Sequence, residues 1–215
     1  MGLTVKDGGT NFKPAPAGLH RAVCINYIDI GTHKTEYNGE TKHQNRVMVT
    51  WELPDEMVDI EGKMKPQIVS KFYTKSLHEK STLRADLASW RSRDFTPDEL
   101  KGFDLDNIIG KPCQVNIVHV VNKQGKTVSK ISAVLPLSKG MEKPQPSITP
   151  WRYDMGEDGY HFPEQLTDKM KKLISECEEM RVVNDLPGNP YSEQGAVEFD
   201  ADTVPALDDN DELPF

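Results

Sequence analysis

Between Arg46 and Leu53 the chain alternates with a period of two: Val47, Val49, Trp51 and Leu53 interleave with Arg46, Met48, Thr50 and Glu52. This predicts a strand with one face buried and the other open to a ligand. Before it, Gly18 to Ile30 is rich in β-formers and stops at Gly31, which predicts a first strand; polar residues 31–45, with Asn38-Gly39, read as a long turn. A third strand is predicted over Gln67–Lys75, where Ile68, Ser70, Phe72 and Thr74 oppose Val69, Lys71, Tyr73 and Lys75. The period then changes. Leu83, Leu87 and Trp90 recur at helical spacing and predict a helix over about 79–93. Thr96-Pro97-Asp98-Glu99 forms a capping box that starts a short helical turn closed by Gly102, and 111–121 with 126–135 make a last hairpin around Asn122-Lys123-Gln124-Gly125.

The resulting order is strand, strand, strand, helix, strand, strand. It is the order of a mainly β, five-stranded OB-fold Greek-key barrel, with the helix between strands 3 and 4 plugging one end. A small open sheet accommodates the same order; closure is favoured because most strands carry apolar positions on both faces while the helix supplies a single stripe. Beyond the barrel, 139–150 is a Pro-containing linker, followed by the aromatic residues Trp151, Tyr153, Tyr160 and Phe162. A C-terminal helix is predicted over 163–180, with Leu166, Met170, Leu173, Ile174 and Cys177 as its stripe. The sequence leaves open whether that stripe packs on the barrel, on a second subunit or on a partner. Residues 183–215, acidic and interrupted by Pro187, Gly188, Pro190 and Gly195, are expected to be disordered. The expected organisation is a flexible N-terminus (1–16), a barrel domain (17–138), a linker with an amphipathic helix (139–182) and an acidic tail (183–215).

Charge divides the chain. Residues 1–140 hold 20 Lys and Arg against 16 Asp and Glu, a net of +4, while 141–215 hold 6 against 18, a net of −12. A mildly basic body tethered to an acidic tail suits a protein that binds polyanions and carries a competitor for the same surface. Cys24, Cys113 and Cys177 are isolated, which argues against a disulfide framework or a zinc site and predicts packed thiols in a reducing cytoplasm. No segment reads as a signal peptide, and no apolar run approaches the length of a membrane span.

The last residues, Asp208, Asp209, Asp211, Glu212, Leu213, Pro214 and Phe215, place an apolar, Pro-stiffened tip after four acids. Such a run stays extended and solvated while the tip is free to enter a pocket, with the terminal carboxylate as a second anchor. The ending resembles the tip of bacterial and phage single-stranded DNA-binding proteins, with Leu213 where that family usually has Ile. In the body, Lys71 to Leu77, Ser81 to Arg84, Ser89-Trp90-Arg91 and Asp104 to Gly110 resemble the phage-encoded OB-fold single-stranded DNA-binding proteins of tailed phages. The resemblance covers about residues 17–135, and the tail separately. It does not extend to the bacterial housekeeping protein, whose Gly- and Gln-rich linker is absent, so a tetramer is not implied and the oligomeric state stays open.

Single-strand binders need cations along a groove and exposed rings on which bases stack. Lys71, Tyr73 and Lys75 meet that description on one strand face; Arg46 extends it from the neighbouring strand, and Arg84, Arg91 and Arg93 along the helix. Lys34 and Tyr37, with His33, Lys42 and His43, lie in the long first turn, where an OB fold grips its ligand. The competing reading is a solvated basic face with Tyr73 filling the barrel, and for Tyr73 the two are balanced. Trp51 and Trp90 are expected in the core. Pro54-Asp55 with Glu61-Gly62-Lys63 imitates a metal-dependent nuclease motif, but the close spacing cannot converge three side chains on one metal. No other catalytic motif is present, and no cofactor is expected. The expectation is a non-catalytic protein in the cytoplasm of a bacterial host. It would coat single-stranded DNA in phage replication, recombination or repair and recruit replication or recombination proteins through its tip. An OB-fold adaptor that binds only protein is the alternative, and a nuclease a remote third.

Overall fold

A computed structural model describes residues 13–37, 40–60, 62–122, 124–159 and 161–184, with backbone alone at 36, 37, 40 and 182–184. The protein is mainly β. Strands β1 (Gly18–Tyr37), β2 (Glu40–Ile60) and β3 (Lys63–Thr74) precede helix α1 (Thr82–Arg91), and β4 (Pro112–Val121) and β5 (Thr127–Leu135) follow it. They form a curled antiparallel sheet, a half-barrel, in the order β3-β2-β1-β4-β5. Its edge strands β3 and β5 approach each other across the seam without a ladder between them.

The inner face is apolar. Val47, Val49, Trp51 and Leu53 of β2 are all buried there, as the alternation requires, and Cys24, Cys113, Val115, Ile117 and Ile131 join them. Helix α1 closes the curl with Leu83, Leu87 and Trp90; the Trp90 ring meets Trp51 at 6.2 Å, and its indole N–H donates to Pro112 O at 2.9 Å. The capping box forms in full, Thr96 N–H donating to Glu99 Oε2 (2.9 Å) and Glu99 N–H to Thr96 Oγ1 (3.3 Å), but it opens a single 3-10 turn, Glu99–Lys101.

Three expectations about extent change. The first turn is a ladder: β1 and β2 stay paired from Gly31↔Arg46 out to Tyr37↔Glu40, and β2 and β3 likewise continue to Ile60↔Lys63, so two hairpin arms project from the curl. Lys13–Pro16, expected to be flexible, strap the seam: Gln67 Nε2 of β3 donates to Lys13 O (3.0 Å), and His119 of β4 and Ser129 of β5 both donate to Ala15 O (2.8 Å). The long helix predicted over 163–180 is divided. A turn runs from Pro163 to Leu166, Thr167 then caps α3 (Asp168–Ser175), and a break at Glu176–Cys177 precedes α4 (Glu178–Asn184).

The apolar stripe of that segment nevertheless packs as a unit, and its target is the outer face of the sheet. Leu166, Ile174, Cys177 and Met180 bury Ile28 and Ile30 of β1 together with Tyr153, and Met48 and Phe72 flank the cluster. Strand β6 (Trp151–Tyr153) adds in parallel to β1 at Asn26–Ile28, beyond the stretch that pairs with β4, and the short helix α2 (Met155–Asp158) follows it. The linker lies down as well: Glu52, 1% exposed, accepts from Ser147 N–H (2.9 Å) and Ser147 Oγ (2.8 Å), and Gln114 accepts from Ser138 Oγ (2.7 Å). Residues 138–184 therefore form a cover over the outer face. The ligand-accessible second face predicted for β2 is occupied by the chain itself, and Arg46, Thr50 and Glu52 are buried.

Candidate nucleic-acid interface

The structure separates the predicted binding residues. Tyr73 is 3% exposed and belongs to the inner core, its hydroxyl donating to Asp86 Oδ2 of α1 at 2.7 Å. Burial, and then the Asp86 carboxylate, push the phenol well above its ordinary range. Of the two readings left balanced for this ring, its position is that of the core one: the face shared by residues 69, 71 and 73 points inward, under α1. Lys71 follows it, with Nζ 2.9 Å from the same Asp86 oxygen and 5.2 Å from the Tyr73 ring centre. Lys75, just past β3, is partly exposed and pairs with Asp29 at 2.8 Å.

The helix arginines are also engaged. Arg84 pairs with Asp94, and Arg91 lies over the rings of Phe95 and Phe103 at 4.5 and 4.9 Å while bonding Glu99 at 2.5 Å. Arg93 holds both oxygens of Glu99, and with Thr96 N–H it keeps that carboxyl down at about 2. These contacts staple α1 to the loop after it, so the track expected along the helix is largely neutralised. Lys34 is exposed on the first arm; of Tyr37 only the backbone is described. Asp208, Asp209, Asp211, Glu212, Leu213, Pro214 and Phe215 lie outside the described residues.

The hairpins carry exposed lysines, Lys34 and Lys42 on the first arm, Lys63 and Lys65 on the second, Lys126 and Lys130 on the β4–β5 hairpin; others, such as Lys80, Lys101 and Lys111, lie elsewhere. Among the side chains described, every Phe, Trp and Tyr is buried or half-buried, so no ring stands out as a stacking platform. Of the residues imitating a nuclease motif, Asp55 is gripped by Arg21 through two bonds of 2.6 and 2.8 Å and Glu61 lies outside the described residues; no group of three metal-ligating side chains occurs among the described residues. All three cysteines are free and buried, and no described helix is long and apolar enough to cross a membrane.

An unanticipated constellation lies at the base of the first arm. Glu179 of α4 accepts from Thr32 N–H (2.8 Å), Thr32 Oγ1 (2.7 Å) and Asn45 Nδ2 (3.4 Å), and the adjacent Glu178 meets His43 Nδ1 at 2.5 Å. Burial pushes the Glu179 carboxyl up, but its hydrogen bonds, those from Thr32 foremost and then its own backbone N–H and Cys177, together bring it down to about 2. Close approach of the helix requires Gly31, where a Cβ would stand 2.7 Å from Cys177 Sγ. Sequence reasoning had no signal for Thr32 or Asn45, since a Thr and an Asn in a polar stretch look like any others. No known protein family, no curated protein and no solved structure matches this chain.

Proposed function

We infer that the protein is a non-catalytic single-stranded DNA-binding protein built on an OB-type barrel, acting in phage DNA replication, recombination or repair in the bacterial cytoplasm. The observation that carries this reading is topological. The strand order β3-β2-β1-β4-β5, with meeting edges and a helix between β3 and β4 closing the curl, fits a five-stranded Greek-key barrel, and the projecting hairpins carry exposed lysines at its rim. A strand would be held mainly through its phosphates by the hairpin cations, with base stacking in a minor part. The acidic tip ending in Leu213, Pro214 and Phe215 recruits replication or recombination proteins.

Gel shifts with labelled oligo-dT, with and without magnesium, test the reading: a retarded, uncleaved band is expected, and its affinity should fall with salt by a log-log slope of about −0.7 per neutralised phosphate. No retardation at low salt would remove the reading, and magnesium-dependent cleavage would restore the nuclease. Phe215→Ala should leave the shift unchanged and abolish capture of replication proteins.

One observation favours the adaptor as a second reading. Met57, Ile60, Met64 and Ile68, on and beside the second arm, are 45–61% exposed, which gives that hairpin an apolar character suited to a protein partner.

A further inference from the structure

The donors around Glu178 and Glu179 are of the kinds that proteins direct at nucleic-acid phosphates: a backbone N–H, a Thr hydroxyl, an Asn amide and an imidazole. They converge at the root of a β-arm, on the β1 edge that neither β4 nor β6 covers. An exposed cation, Lys34, stands beside them, in register with His43. The Lys75 backbone N–H donates to the Asn45 backbone carbonyl (2.8 Å), and its ammonium pairs with Asp29. A site meant only to anchor a helix needs polar partners for one carboxylate; this one also carries the exposed Lys34 beside it.

We propose that Thr32, His43 and Asn45 form a phosphodiester-binding site at the base of the first arm, which the carboxylates of Glu178 and Glu179 fill when no strand is bound. The proposal rests on the single-strand-binding reading and extends it by naming the phosphate donors and their occupant. A carboxylate and a phosphodiester both present anionic oxygens to N–H and O–H donors, so α4 and a DNA strand exclude each other there. The low value held by Glu179 despite burial fits a cradle that favours negative charge. By linkage, strand binding loosens α4, and loosening α4 tightens strand binding by the same factor.

The test compares the double variant Glu178→Gln, Glu179→Gln with the control Glu164→Gln, Glu176→Gln, which removes two exposed charges from the same cover. By fluorescence anisotropy with oligo-dT at fixed low salt, the first should bind about fivefold or more tightly than the control. Adding Asn45→Ala should reverse most of that gain, with circular dichroism verifying the fold. In the wild-type protein, hydrogen exchange on adding oligo-dT should speed up over 171–184 while the Thr32 amide stays slow. Equal affinities of the two double variants, or unchanged exchange over 171–184 while the wild type binds, would overturn the site and leave the function standing. Slowing of Thr32 exchange by inorganic phosphate but not by oligo-dT in the Glu178→Gln, Glu179→Gln protein would assign the site to a small anion and equally overturn it. Absence of oligo-dT binding by every variant would instead remove the function from which it starts.

Discussion

The two faces of the sheet are closed by different chemistry. Inside, apolar side chains of strands β1–β5 and α1 interlock, and the polar groups that do enter, such as Lys71, Asp86 and the Tyr73 hydroxyl, satisfy one another. Outside, a smaller apolar cluster is assisted by discrete polar clasps, Ser147 on Glu52, Ser138 on Gln114 and Glu179 on Thr32. The inner face is stabilised by area, which is non-directional and shared among many residues; the outer face combines a smaller buried area with directional bonds.

Trp51→Ala should break the comparison most severely, costing about 3–5 kcal/mol through loss of a large buried ring, with sheet and cover lost together in one urea transition. Asp86→Ala should cost about 3 kcal/mol, because it leaves Lys71 and the Tyr73 hydroxyl buried without their shared acceptor; Asp86→Asn should recover part of that. Ile174→Ala, in the outer cluster, should cost about 2 kcal/mol and act locally, with hydrogen-exchange protection lost over 168–184 and retained in β1, β2 and β4. Global unfolding by Ile174→Ala would show that the faces form one cooperative unit.

The smallest effect is in pH. Glu179 in the folded chain sits at about 2, below its ordinary 4.5, so its contribution to docking of the cover is complete at and above about 4.5 and is lost as pH falls toward 2. Exchange over 171–184 should accelerate through that interval, and Glu179→Gln should flatten the response. A wild-type profile without change there would mean that apolar packing alone holds α4.

The inner face was readable because 47–53 alternates without a fault and Leu83, Leu87 and Trp90 cannot be accommodated except as a stripe. Sidedness was not readable for β3. A period of two says that Val69, Lys71 and Tyr73 share a face, but both faces of that strand carry apolar residues, and only the position of α1 decides which is inside. The arms escaped because a ladder is made by backbone groups, and residues 31–45 have no apolar period to announce it. The ion-paired arginines were legible in principle: Asp94 lies ten residues after Arg84, and Glu99 eight after Arg91 and six after Arg93. So was the divided helix, since Thr167 after Pro163 is a start signal that the continuous stripe concealed. The phosphate donors were not, because Thr32 and Asn45 gain meaning only when α4 is laid beside them.

Strand β1 has a consequence for how the chain matures. It pairs with β2 made soon after it, with β4 made some ninety residues later, and with β6 later still. The cover that buries Ile28 and Ile30 arrives last, ending at α4. During synthesis the nascent chain therefore holds its earliest strand partly unpaired, with two isoleucines facing solvent, until about residue 184 has cleared the ribosome. Long-range pairing of this kind slows folding and exposes a strand edge to neighbouring nascent chains. Truncation between Leu135 and α4 should yield a product that aggregates although strands β1–β5 are all present.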